Sequence, residues 1–499
     1  MKARTSLLFL ATFLFLFYWS TRLPALTALP LHNDEGLHLS RAVEVWNLHP
    51  FWEIRDGKII NQFPIAFLMP QNQPDFIGRM ATLFVVSIGF ASGLGIARSF
   101  NKSYALLIVG ALWITAPYLL FYERLAFSDA EAGAWAVTAL WLARVNSKKL
   151  DLRYAVLTGL TLATAILLKF TAFPVAVAIA LLILTNASPR KTQIKHLAII
   201  YFVVALCFVI PIGYLMLKGS DLFSIALGWV GGGSANSTSW LENISANLVR
   251  LGEQFTLFGN PLWTAFFGIG LFVALVLGTA SQRIFTLVTL LPLFIITVFG
   301  REALSRHFVV TIPSLIVASG LGLAQLTDVL GKFRLPKIRI GWVWASAVSV
   351  VLLLGILPLL TQMQTDPANL PLPTDVRQQH ITEHSSGYGL REAMAFIEET
   401  FSNDVTVVAS FFGDSCRRAN FYSATHQLDC GNAPGIDRIE QALTLNDMIY
   451  VLVDTAPHIG ADMRPVSAQL NVEALLIEVF PRPTETVESA SVQLWRLSR

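Results

Sequence analysis

The sequence predicts a mainly α-helical, polytopic membrane protein: a bundle of about eleven transmembrane helices followed by a small extracytoplasmic α/β domain. Three observations carry this. Of 499 residues, 54% are hydrophobic and only 14% charged, against about 25% charged in soluble domains. Apolar runs of about 16–22 residues, enough for a helix to cross a bilayer, recur to about residue 362. Beyond that point the composition turns polar. No basic tract with interleaved aromatics occurs, which argues against nucleic-acid binding. The net charge of +3 matters only through where the positive residues sit.

The first run follows Met1-Lys2-Ala3-Arg4. A short positive stretch before an apolar one also suits a signal peptide. This run is long for that and lacks a small-x-small cleavage site, so we read it as a retained span. The expected spans are 6–26, 80–97, 104–121, 128–143, 154–168, 171–186, 198–217, 262–280, 284–299, 307–326 and 342–361. The fifth and sixth are short and joined only by Lys169-Phe170, so they also suit broken helices.

Alternation from a cytoplasmic N-terminus places 98–102, 144–153, 190–195, 281–283 and 332–339 inside. These hold Arg98, Lys102, Arg144, Lys148, Lys149, Arg153, Arg190, Lys191, Lys195, Arg283, Lys332, Arg334, Lys337 and Arg339. Most outer turns of similar length hold one or two basic residues, a positive-inside pattern. An odd number of spans then puts the C-terminal part outside.

Two outer loops are long. The first, 27–79, contains Asp34-Glu35 and an amphipathic pattern at Leu39, Ala42, Val43 and Trp46, expected as a short helix on the membrane surface. The second, 218–261, contains Gly231-Gly232-Gly233-Ser234 and suits a mobile lid or an idle linker. After Pro367, Pro371 and Pro373 the chain shows a helix pattern at Gly389–Thr400. A buried-strand pattern follows at Val405–Phe411, further strands at Met448–Val453 and Ala474–Phe480, and an alternating, edge-type strand at Val492–Leu497. No nucleophile elbow, phosphate loop or zinc spacing occurs in this part. Cys207 lies in a span. Cys416 and Cys430 suit a disulfide if they lie outside the cytoplasm, or are two unrelated thiols, because spacing alone gives no distance.

Charges at the edge of a bilayer usually face a cavity or a ligand. Asp34 and Glu35 sit in His32-Asn33-Asp34-Glu35-Gly36-Leu37-His38, just after the first span. A carboxylate there suits a general base, a metal ligand with His32 and His38, or a helix cap formed by Asp34. Asp129 follows the short turn Glu123–Phe127 and suits a second acid; alternatively it caps the fourth span while Glu123 and Arg124 pair with each other. Lys169 suits an anionic head group or snorkelling to the interface. Arg301, Arg306 and His307 lie in a later outer turn, and Arg79 opens the second span; Arg gives bidentate contacts to phosphate. Together these residues place carboxylates and cations on one face of the bilayer.

The pattern resembles the GT-C fold glycosyltransferases that use lipid-linked sugars, in the branch of the protein O-mannosyltransferases and the aminoarabinose transferases of lipid A. The resemblance rests on Asn33-Asp34-Glu35-Gly36, Gly78-Arg79-Met80, Arg124 to Asp129, Ala165 to Thr171 around Lys169, and Ser305-Arg306-His307-Phe308 before Pro313. His307 departs from the usual tyrosine. The resemblance implies inverting transfer from a polyprenyl-phosphate sugar to a protein, glycolipid or cell-envelope glycan. Asp34 would be the base, supported by Glu35 and Asp129, while Lys169 and Arg306 would hold the donor phosphate. Arg79, Arg124, Arg301 and His307 complete the substrate-binding candidates. No cofactor is implied, no metal ligand is assigned, and a divalent metal is not expected to be essential. A transporter or flippase, an oligosaccharyl transferase and a non-enzymatic receptor are the competing classes. A transporter is disfavoured because no repeat relates the two halves and the charges gather on one face.

Overall fold

The computed structural model describes residues 2–499 apart from 52–53, 55–56, 69–72, 101–102, 187, 220–239, 257, 259, 301–302, 331–339, 403–404, 410–413, 424, 429, 431–434 and 456–460. Gly231 to Ser234, Arg301, Lys102, Lys332, Arg334, Lys337, Arg339 and the end of the strand expected to reach Phe411 therefore lie outside the described residues.

The protein is a helical membrane bundle with a small α/β domain at its C-terminal end. The bundle part runs α1 (Lys2–Arg22), α2 (Asn33–Trp46), α3 (Gln62–Phe67), α4 (Pro74–Ser99), α5 (Ser103–Ile114), α6 (Pro117–Tyr122), α7 (Ser128–Lys149), α8 (Leu152–Leu168), α9 (Pro174–Leu184) and α10 (Arg190–Leu217). It continues through α11 (Trp240–Thr256), α12 (Pro261–Val276), α13 (Ala280–Phe299), α14 (Ile312–Leu330) and α15 (Ile340–Thr365). Each of the eleven apolar runs contains helix, but several helices are shorter than their runs. Pro117 lacks an N–H and opens a new helix, so the 104–121 run divides into α5 and α6. The sixth run begins with a 3₁₀ turn, Phe170–Ala172, ahead of Pro174. Among the described residues, four helices are by themselves long and apolar enough to cross a membrane: Pro74–Ser99, Arg190–Leu217, Ala280–Phe299 and Gly341–Thr365. α11 and α12 add a fifth span only if they count as one broken segment.

The core of the bundle is α7, buried along most of its length between α4 and α8. Its crossing with α4 depends on Gly89, where a Cβ would stand 2.6 Å from the Ala134 backbone. Small residues let helices approach closely where lipid supplies no hydrophobic drive between them.

The stretch after α1 differs from expectation in two ways. The N-cap of α2 is His32 rather than Asp34: His32 Nδ1 accepts from the Asp34 N–H at 3.0 Å, and Glu35 accepts from the His32 N–H at 3.0 Å. This capping box puts both carboxylates inside the first helical turn. The apolar stripe of α2 also docks in part on protein: Leu39 and Ala42 are buried against Ile65, Ala66, Ala81 and Ala126, while Trp46 is 51% exposed.

After short helical turns at Thr374–Arg377 (α16) and Gln378–Thr382, the α/β domain comprises α17 (Leu390–Thr400), β1 (Val407–Ala409), α18 (Asp414–Asn420), α19 (Gly435–Leu445), β2 (Met448–Asp454), α20 (Arg464–Leu470), β3 (Glu473–Val479) and β4 (Val492–Ser498). The sheet order is β1-β2-β4-β3, with β1 parallel to β2 and the other pairs antiparallel. β4 is therefore an inner strand, which corrects the edge expected at Val492–Leu497. Its alternation arises because both faces are covered. Val492 and Leu494 pack under α17 and α18, while Trp495 and Leu497 pack under α19 and α20. Cys416 and Cys430 are bonded, with Cα atoms 5.6 Å apart. This bond ties α18 to the loop after it. Replacing Cys416 with Ser should remove about 3 kcal/mol of stability, the value for a loop of this size. Thermal unfolding of the α/β domain should shift down accordingly, and an unchanged midpoint would refute the assignment.

Candidate functional site

The site is built on one end of the bundle, where α1 ends, α2 and α4 begin, and the turns before α7, after α8 and before α14 meet. Glu35 and Arg79 form its foundation. Both are fully buried. Arg79 donates through Nε and Nη2 to the two Glu35 carboxylate oxygens at 2.9 and 2.8 Å, a bidentate pair. Glu35 also accepts from the Ala126 N–H at 2.8 Å, and Arg79 donates to the carbonyls of Leu26, Leu29 and Pro30. The pair thus fastens α2 to α4 and to the turn ahead of α7. Burial pushes the Glu35 carboxyl up, but Arg79 outweighs it and holds the acid below its ordinary range. Both Glu35 oxygens are thus engaged by donors of the protein itself.

Asp34, one residue earlier, turns the other way. Lys58 Nζ and Arg306 Nη1 both donate to its Oδ2, at 2.8 and 2.7 Å. Oδ1 takes no part in either ion pair. Burial raises the Asp34 pKa, but the two cations prevail and hold it well below the usual carboxylate range. Beside it Lys169 is paired with Asp129, both buried. Burial, only partly offset by Asp129, lowers the Lys169 pKa to about 8. His307 follows Arg306 in the 3₁₀ helix Ser305–Val310, within electrostatic reach of Lys169 and Lys58. Among the described residues, Lys58, Lys169 and Arg306 thus gather with Asp34 and Asp129.

Lys58 is the residue that the sequence reading missed. It is the one lysine in 27–79 and is 5% exposed. The Ile59 N–H donates to the Leu167 carbonyl at 2.8 Å, and Ile54 and Ile59 pack on Leu167 and Leu215. Its sequence surroundings, Arg55-Asp56-Gly57 before it and Ile59-Ile60 after it, carry no clear sign of burial. His38 joins the same gathering: its Nδ1 contacts the Ala126 carbonyl at 2.7 Å and its Nε2 faces Lys58 Nζ at 3.3 Å. With His32 capping α2, neither ring is arranged as a metal ligand. Among the described residues no group of three His, Cys, Asp or Glu side chains could hold a metal ion.

Arg306 is set by its neighbour Ser305, which opens the 3₁₀ helix Ser305–Val310. Asp375, in α16, accepts from the Ser305 N–H at 2.8 Å and from its hydroxyl at 2.5 Å. Gln254 of α11 donates to the same hydroxyl, and the Tyr118 hydroxyl donates to the Ser305 carbonyl. The α/β domain closes over the opposite side. Arg418 donates to the carbonyls of Leu31, Ser385 and His384, and Tyr422 accepts from the Leu31 N–H. A Cβ on Gly36 would lie 2.8 Å from Arg418 Cβ, so only glycine allows this approach.

The structure thus gathers Asp34, Asp129, Lys169, Arg306 and His307 and sets Glu35 and Arg79 behind them. Arg124 is not with them: it donates to the carbonyls of Pro24 and Ala25. The expected Glu123–Arg124 pair does not form either, because Arg22 reaches the Glu123 carboxylate at 3.0 Å and occupies it. Glu35→Gln should cost about 3–5 kcal/mol, the usual effect of orphaning a buried charge, whereas Asp34→Asn, at a side chain 21% exposed against none for Glu35, should lower the unfolding midpoint by less. Thermal unfolding monitored by tryptophan fluorescence checks both, and equal effects would refute the division of roles.

No protein-family profile matches the chain, and no functionally curated sequence matches it. Solved structures do. ArnT of Cupriavidus metallidurans in the apo state superposes with TM-score 0.64 at 12% identity, covering 99% of this chain and 98% of that one. The same protein bound to undecaprenyl phosphate gives 0.65 at 11% identity, again over 99% and 98%. The archaeal oligosaccharyltransferase AglB of Archaeoglobus fulgidus, solved with an inhibitory peptide and a dolichol-phosphate, gives 0.52 at 14% identity, over 91% and 70%. At these identities the likeness is one of fold: the chain has the GT-C architecture that its motif order resembled.

Proposed function

We propose that the protein is an inverting membrane glycosyltransferase. It moves a single sugar from a polyprenyl-phosphate donor to an extracytoplasmic acceptor: a protein, a glycolipid or a cell-envelope glycan. The observation that carries this reading is the gathering of Lys58, Lys169 and Arg306 around Asp34 and Asp129. The fold shared with proteins solved with undecaprenyl phosphate or dolichol-phosphate supports a lipid-phosphate donor. Coverage of 98% of ArnT against 70% of AglB favours single-sugar transfer over transfer of an oligosaccharide.

In this reading the membrane part spans about 1–362 and the extracytoplasmic domain 363–499, with the N-terminus cytoplasmic, as the positive-inside pattern requires. The polyprenyl tail stays in lipid while the phosphate enters among Lys58, Lys169 and Arg306. The acceptor hydroxyl or amine attacks the anomeric carbon from the face opposite the phosphate. Its proton passes to Asp34, the new glycosidic bond forms, and the carbon–oxygen bond to phosphate breaks. Polyprenyl phosphate leaves with the electron pair, stabilised by the same cations. A phosphate leaving group needs charge compensation more than a strong acid. Asp34 as found is a weak base, because two cations hold it. A phosphate that drew Lys58 and Arg306 away would raise its basicity when donor is present. Asp129 holds Lys169 in place, and His307 offers a ring beside the sugar.

Three expectations follow from this chemistry. Asp34→Asn should reduce transfer of labelled sugar by about 10²–10⁴-fold, the range for a general base, with binding of polyprenyl phosphate retained; full activity would refute the assignment. Lys169→Ala should raise the donor KM more than the acceptor KM. The pH dependence has a defined sign. The base must be deprotonated, so activity is full above the Asp34 pKa and lost as pH falls through it. With Asp34 held low, kcat/KM should stay flat through the ordinary carboxylate range. Lys58→Ala removes one of the cations and should move the acid limb to higher pH; an unmoved limb would contradict the coupling.

A further inference from the structure

Arg306 reaches Asp34 from the 3₁₀ helix Ser305–Val310. A short 3₁₀ helix is a weak support by itself, because its hydrogen bonds are poorly aligned. Side chains from three other elements hold the turn, and they converge on Ser305, which is fully buried. Asp375 of α16 accepts from the Ser305 N–H at 2.8 Å and from its hydroxyl at 2.5 Å. Gln254 of α11 donates to the same hydroxyl, and Tyr118 of α6 donates to the Ser305 carbonyl. Asn247 of α11 fixes the approach to the turn. Its Oδ1 accepts from the Ala303 N–H at 3.0 Å, and its Nδ2 donates to the Thr297 and Gly300 carbonyls at 3.1 and 2.6 Å.

Asp375 is the charged member of this set. A carboxylate that accepts from a backbone N–H and a hydroxyl makes charge-assisted bonds, stronger than neutral ones. The carboxylate is itself carried on a fixed segment. Val376, the next residue, is buried in the bundle core with Leu370 and Leu372. Arg377 donates to the Ala368 and Leu370 carbonyls at 3.2 and 2.6 Å, which folds the chain after α15 back on itself. We propose that Asp375 is a positioning residue for donor binding: through Ser305 it fixes the turn that aims Arg306 at the donor phosphate. The inference rests on the glycosyltransferase reading, in which Arg306 meets that phosphate. It adds that the first helical turn after the last span sets how tightly the donor is held. Without the carboxylate, the Ser305 N–H and hydroxyl lose their acceptor and the turn relaxes. Arg306 then keeps its charge but loses its placement, so the effect passes through Arg306.

The test is a double-mutant cycle on the full-length protein in detergent, with undecaprenyl phosphate as the probe and native mass spectrometry reading its affinity. Asp375→Ala should weaken binding about ten-fold, the worth of one charge-assisted hydrogen bond. In an Arg306→Gln background, where Lys58 and Lys169 still hold the phosphate, the same substitution should change affinity by less than about two-fold. A merely structural role would lower affinity alike in both backgrounds. Asp375→Asn keeps an acceptor for the Ser305 N–H and should recover part of the loss. Ser305→Ala removes only the hydroxyl contact and should show a smaller loss with the same dependence on Arg306. These two variants carry the cycle if thermal unfolding shows that Asp375→Ala does not fold. Parent binding that none of the three substitutions weakens, or a loss equal in the two backgrounds, would overturn this inference alone. Failure of the parent to bind undecaprenyl phosphate would overturn the donor reading and this inference with it.

Discussion

Glu35 and Arg79 face each other with neither side chain exposed to solvent. Two charges taken from water this way are costly unless their hydrogen bonds are filled. Here they are, because the same carboxylate also takes the N–H groups of His32 and Ala126. Three backbone carbonyls between residues 26 and 30 take the rest of the guanidinium. The pair therefore joins the exit from α1, the first turn of α2, the start of α4 and the turn before α7. Asp34 lies on the rim of this block, and its direction is set by the residue next to it. The capping box at His32 adds to this, since it fixes where α2 starts.

The second constraint is charge balance. Around Asp34, Lys58 and Arg306 share one carboxylate oxygen, and Lys169 is paired with Asp129. In low dielectric such charges persist only where partners, fixed dipoles or a ligand offset them. These charges come from five separated segments: Asp34, Lys58, Asp129, Lys169 and Arg306. The backbone around each is tied independently, Lys58 by the Ile59–Leu167 bond and Arg306 by Asp375 at Ser305. That division lets cations move toward a phosphate without dismantling the scaffold. The α/β domain contributes through Arg418 and Tyr422, which grip Leu31 just ahead of the α2 cap.

Much of this was legible in the sequence because lipid imposes strong rules. Long apolar runs must be helical, and a charge at their ends needs a reason, which is why Asp34, Asp129, Lys169 and Arg306 stood out one by one. What sequence could not give was partnership. Glu35 and Asp34 are adjacent letters with different fates, because successive residues on a helix point about 100° apart. Lys58 was overlooked because nothing local marks a loop lysine as buried; its burial comes from docking on Leu167 and Leu215. Arg124 was given to Glu123 by proximity in the chain, whereas Arg22, about a hundred residues away, holds that carboxylate. β4 was read as an edge because alternation cannot tell a strand covered on one face from one whose polar positions fall between two covered faces.

The central claim is that a sugar leaves a lipid phosphate and reaches an acceptor with inversion at Asp34. The most direct measurement follows the anomeric carbon. Purified protein is given polyprenyl-phosphate sugars labelled with carbon-13 at C1, together with envelope extract as acceptor, and the products are read by NMR. The account predicts one free polyprenyl phosphate per new glycosidic bond, with the opposite anomeric configuration to the donor. Recovery of every donor intact, or a product that retains the donor configuration, would contradict it.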